Sequence, residues 1–205
     1  MPSLALSLLY LLIAMLSIQS GAALAKQLFM EAGPAGTTTL RVGFAALILL
    51  LAWRPWRTRF TRAHLKDIAF YGMSLGLMNL LFYLALARIP LGIAVALEFT
   101  GPLALSLMSS KRVTDILWAF LAAVGIYLIL PVQSTGSALD LVGILLALAA
   151  GACWALYIWF GQRAGKGAHS GHVTAIGMTA AALVTLPFGI AMNGASLVNF
   201  SLWPL

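Results

Sequence analysis

Apolar positions run along this chain in long unbroken blocks. Seven stretches, near residues 4–25, 35–53, 68–87, 91–109, 113–131, 140–161 and 171–191, hold almost nothing ionisable. Each approaches the roughly 20 apolar residues that carry a helix across a bilayer core. The pattern predicts seven membrane-spanning helices. Small residues recur four apart, at Ser17, Gly21 and Ala25 on the first span and at Gly72 and Gly76 on the third. They read as packing seams, where helices approach without a hydrophobic force between them; a substrate-facing groove is the alternative. Arg88-Ile89-Pro90 forms a tight connection, with Pro90 suited to a helix start, and Pro131 closes the fifth span.

Composition agrees with the blocks. Of 205 residues, 62% are apolar and 8% charged, with Lys+Arg 12 and Asp+Glu 5. A globular chain carries roughly 25% charged residues, so a water-facing surface cannot be assembled here. Soluble enzymes, disulfide scaffolds, coiled coils and disordered tails are excluded together. The lone Cys153 forbids an intrachain disulfide or a cysteine metal site and reads as a small buried hydrophobe. Ala23-Leu24-Ala25 resembles a cleavage site, but no Lys or Arg precedes Lys26, so the first span lacks the basic start of a signal peptide and is read as retained.

The net charge of +7 raises nucleic acid as a partner, and the placement of the cations dismisses it. Arg54, Arg57, Arg59, Arg62, Lys66, Lys111, Arg112, Arg163 and Lys166 fall in alternate connections, against Lys26 and Arg88 in the others. By the positive-inside rule the N-terminus is cytoplasmic. The run from Arg54 to Lys66 is then a topology anchor on the membrane surface.

Shifting the chain by 134 positions lays 17–28 on 151–162 with few identities but a continuing pattern. Residues 1–131 form a five-helix unit, 132–139 a polar linker, and 140–205 the start of a second unit. Five is odd, so the second unit enters from the opposite side, giving the inverted repeat of many secondary transporters. The expected fold is an all-α polytopic membrane protein, with seven transmembrane helices visible of ten. A matching second unit would run about 60–80 residues further by that symmetry; a complete seven-helix protein is the alternative.

Ionisable groups inside spans are few, and Glu98 is foremost. A carboxylate at mid-depth should face a wet cavity, be paired, or be protonated; a neutral glutamic acid bonded to a nearby carbonyl is the structural alternative. Gly101 and Pro102, just beyond it, are expected to break the helix and free a carbonyl. Arg41 either snorkels to the interface or holds a substrate carboxylate. Gln19, Asn79, Tyr83, Trp154 and Tyr157 are interhelical partners singly, and could together line one cavity with Glu98. His64, His169 and His172 fall in cytoplasmic connections without metal-ligand spacing, and no hydrolase elbow, phosphate loop or dinucleotide fingerprint is present. No enzyme activity, metal or other cofactor is expected, and transport would draw on an ion or substrate gradient.

Several tracts resemble the threonine/homoserine exporter branch of the EamA family, in the drug/metabolite transporter superfamily. They are Pro90 to Leu103 (PLGIAVALEFTGPL), Tyr71 to Gly76 with Met78-Asn79, Gly151 to Ala155 and Gly161 to Gly165. The likeness covers essentially the whole chain in order. It implies an inner-membrane exporter of small neutral amino acids, built as two EamA repeats of five helices; helices eight to ten have no counterpart here. The expected mechanism is proton-coupled antiport, Glu98 alternating between proton and substrate ammonium. Gln19, Asn79 and Tyr83 would bond the substrate, while Trp154 and Tyr157 exclude water. Expected partners are the bilayer, a small amino acid, protons and, for assembly, a second copy of the chain. Export of another solute class on the same fold and a non-transport membrane protein are the rival readings.

Overall fold

A computed structural model describes residues 4–58, 60–109, 140–166 and 169–197, with scattered positions between 116 and 128. The expected fifth span, 113–131, and the polar linker lie largely outside the described residues. The described elements are six long helices, α1 (Leu4–Gln27), α2 (Phe29–Trp53), α3 (Arg62–Leu86), α4 (Leu91–Ser109), α5 (Leu141–Ala164) and α6 (Ser170–Leu197), plus a 3₁₀ turn at Pro55–Arg57. All six helices are long and apolar enough to cross a membrane. No strand occurs among the described residues. The chain is a multi-pass helical membrane protein.

The helix ends follow local chemistry. Leu28 alone separates α1 from α2, and α2 begins with a short outer turn that the hydropathy pattern omits. That turn is set off by Gly33 at φ 64°, ψ 167°, followed by Pro34. This backbone region is essentially reserved for glycine, so the chain bends there and the spanning part of α2 starts at the proline. Arg54, at φ 47°, ends α2. Thr61 caps α3 by accepting from the His64 amide, and Asp140 caps α5 by accepting from the amides of Val142 and Gly143. Asp140 also pairs with Arg88 at 2.8 Å, tying the α3–α4 connection to the start of α5.

α2 packs chiefly on α6, α3 on both α5 and α6, and α4 on α5. The seam expected at Gly72 and Gly76 is present. A Cβ on Gly72 would meet the Gly177 carbonyl, and one on Gly76 would lie 2.8 Å from the Ala181 carbonyl oxygen. The seam expected on α1 is not as drawn. Ala22 and Ala25 are buried, whereas Ser17 is exposed and Gly21 has no neighbour within 4 Å. The buried face of α1 is thus one residue out of register at its centre. Elsewhere α1 leaves Leu8, Leu12 and Leu16 exposed, which lipid tails, as apolar as leucine, tolerate.

Of the three histidines expected in connections, only His169 lies in one. His64 and His172 lie in the first turns of α3 and α6, with His169 just before α6. The His64 Nε2 lies 2.6 Å from the Ala164 carbonyl oxygen, and Thr58 Oγ1 is 3.0 Å from His172 Nδ1. The Trp53 ring lies tilted against that of His169, centres 5.0 Å apart. These contacts join the α2–α3 and α5–α6 connections, which with the adjoining helix ends carry Arg54, Arg57, Arg62, Lys66, Arg163 and Lys166, at one end of the bundle.

Candidate functional site

A cavity of about 550 Å³ opens among all six helices. Its polar lining is Gln19 of α1, Arg41 of α2, Asn79 of α3 and Glu98 of α4, with Trp154 and Tyr157 contributed by α5. Six of the seven side chains singled out from the sequence therefore meet in one place. The rest of the wall is apolar, including Met15, Val42, Met78, Phe82, Phe99 and Met178. These carried no signal in the sequence, because an apolar side chain on an apolar helix looks the same whether it faces lipid or a cavity. Phe99 could have been suspected as the neighbour of Glu98; its ring meets Trp154 edge-on at 4.9 Å.

Glu98 is 7% exposed. Among the described residues its carboxyl makes no hydrogen bond or ion pair, so the alternative of a glutamic acid bonded to a neighbouring carbonyl is not realised there. Its backbone is held with care. Pro102 has no amide hydrogen to offer the Glu98 carbonyl, and Gly151 of α5 comes against that oxygen, where a Cβ would stand 2.6 Å away. A Cβ on Gly101 would in turn strike the Gly151 carbonyl. The expected break at Gly101 and Pro102 does not occur: α4 stays helical from Leu91 to Ser109. Close contact with α5 supports the helix where the proline has removed a bond, and Gly101 serves as a contact point rather than a hinge.

Tyr83 does not line the cavity. It is 1% exposed and packs among Phe29, Phe82 and Leu86. Its hydroxyl accepts a 2.5 Å hydrogen bond from Arg41 Nη1, and the guanidinium carbon stands 5.6 Å from the ring centre. Arg41 is accordingly held beside the cavity while its side chain stays exposed. Asn79 donates through Nδ2 to the Leu75 carbonyl of its own helix at 2.9 Å, leaving Oδ1 and the second N–H to offer. Tyr157 stacks on Tyr71 at 4.9 Å. The Tyr71 ring fills the space that a Cβ on Gly177 would need. Cys153 is a free, half-buried thiol.

The site thus combines apolar walls, one carboxyl and one guanidinium. That volume and lining suit a small organic solute. No group of three or more His, Cys, Asp or Glu side chains able to hold a metal ion occurs among the described residues.

The chain is 50% identical over 200 residues to the threonine/homoserine exporter RhtA of Escherichia coli (strain K12). It is equally similar to that of Salmonella typhimurium (strain LT2). In both comparisons the match covers 98% of this chain and 68% of the relative. No family model matches the chain, and no solved structure matches it. Half of all positions shared along nearly the whole chain, with Glu98 set on the wall of a cavity among the helices, leads to one conclusion: this protein belongs to the threonine/homoserine exporter family.

Proposed function

We propose that this chain exports small neutral amino acids, threonine and homoserine among them, across the inner membrane in exchange for protons. The observation that carries the reading is Glu98: a buried carboxyl that opens onto the cavity with no protein partner among the described residues, in a chain similar to named exporters. An ionised carboxylate at mid-depth costs about 2.5–3.5 kcal/mol. Occupation by a proton or by a substrate ammonium removes that cost, and one carboxylate cannot hold both. A proton arriving from outside would displace the amino acid, and loss of that proton to the cytoplasm would ready the site again. Gln19 and the Asn79 Oδ1 are placed to bond the substrate's polar groups, while Trp154 and Phe99 keep the site dry.

Two further features belong to this reading. The cation-rich end of the bundle is cytoplasmic, which puts the N-terminus there too. Residues 1–131 and 140–205 are inverted units, supported by the broad contact between α2 and α6, which hold the second place in each.

Glu98→Gln tests the proposal. The amide keeps the shape but cannot exchange a proton, so proteoliposomes bearing it should insert normally and show no threonine flux driven by a pH gradient. Retained pH-driven export would overturn the coupling role.

A further inference from the structure

Glu98 and Arg41 share one cavity yet form no ion pair with each other, nor with any other described residue. Glu98 is buried and Arg41 is exposed, so of the two charges only the carboxylate bears a desolvation cost. What holds Arg41 instead is Tyr83, through the Nη1–Oη hydrogen bond and the face of its ring. The tyrosine is itself fixed by the Phe29 and Phe82 rings at 5.6 and 6.0 Å. A neutral partner restrains a guanidinium without neutralising it, and it occupies only one of the five N–H donors.

We infer that the cavity is built for a zwitterion, with Glu98 facing the ammonium and Arg41, positioned by Tyr83, receiving the carboxylate. This rests on the export reading above and deepens it. Both charges of the exported amino acid are then read by named side chains. Amides and esters leave Arg41 unanswered, and N-acylated amino acids leave Glu98 unanswered. Tyr83 is a positioning residue: it touches the guanidinium and not the solute.

Trp154, in the cavity wall, supplies a binding signal that does not depend on transport. With the purified full chain, quenching by threonine, threonine amide and N-acetylthreonine is compared at one pH. A hydrogen bond to a charged group is worth enough to predict that threonine binds about 10- to 100-fold more tightly than either blocked form. Tyr83→Phe keeps the ring and removes the hydroxyl. It should lower the threonine-to-amide ratio about two- to tenfold and leave the threonine-to-acetylthreonine ratio unchanged, a pattern that general loosening would not produce. Arg41→Lys should lower the same ratio, because an ammonium cannot form the planar fork.

Equal binding of threonine and its amide by the unmutated protein, or binding of no zwitterion, overturns the inference whatever the variants do. An unchanged amide ratio in both folded variants overturns the assignment of Arg41 and Tyr83. Threonine flux in proteoliposomes is scored separately. Flux without charge discrimination defeats this inference and leaves export standing, while discrimination without flux does the reverse.

Discussion

At Asp140 one carboxylate oxygen accepts the amides of Val142 and Gly143 while the other takes the Arg88 guanidinium. The Arg88 hydrogen bond foremost, with the two amides adding to it, holds this carboxyl below its ordinary value. A depressed folded value stabilises the fold above the unfolded one, about 4, and the contribution is lost as pH falls through the depressed value. Asp140→Ala should therefore melt at a lower temperature than the parent at pH 7, with the gap narrowing once the pH drops below about 4. Thermal unfolding in detergent at both pH values checks it. Asp140 was not singled out in the sequence, because its partner Arg88 stands 52 positions away. Glu98 was legible for the opposite reason: a carboxylate inside an apolar span is conspicuous without any partner. Tyr83 was misjudged, since nothing in its spacing from Asn79 distinguishes a cavity wall from the layer behind it.

Among the elements, glycines divide into those that fit a contact and those that do not. Gly101 and Gly151 bring α4 and α5 together backbone to backbone, and a Cβ at Gly101 has nowhere to go. Gly101→Ala should cost about 1–3 kcal/mol by overpacking and should also disturb Glu98, three residues earlier. Gly43→Ala is the contrast: with no neighbour within 4 Å, it should be neutral or stabilising by up to about 1 kcal/mol through helix propensity. Gly33→Ala meets a backbone conformation rather than a neighbour and should cost about 1–3 kcal/mol. Denaturation of the four proteins side by side tests the three expectations. Hydropathy located these helices well, α4 to the residue, because the length of an apolar block is set by the bilayer. It missed the outer turn of α2 and the extra turns of α3, α5 and α6, which reach beyond the apolar core and are helical through caps and packing.

For the molecule as a whole, the described cations gather where the α2–α3 and α5–α6 connections meet, knit by His64, His169, His172, Trp53 and Thr58. If this end is cytoplasmic, a cysteine replacing the exposed Trp56, with Cys153→Ser as background, should react with an impermeant maleimide in inverted vesicles only. A cysteine at Gly92, at the opposite end, should react in right-side-out vesicles only. The reverse pattern would invert the topology. Block length, sparse charge and alternating cations needed no tertiary structure, since each is a response to the bilayer that every span meets alone. The family resemblance, too, lies in short contiguous tracts. The cavity is different: Gln19, Arg41, Asn79, Glu98 and Trp154 come from five helices, and which of their faces turn inward depends on how glycine seams let those helices approach. Helix rotation about its axis leaves hydropathy unchanged in lipid, so the chain determined its spans by itself, and only packing decided that Arg41 would stand beside the cavity with Tyr83 behind it.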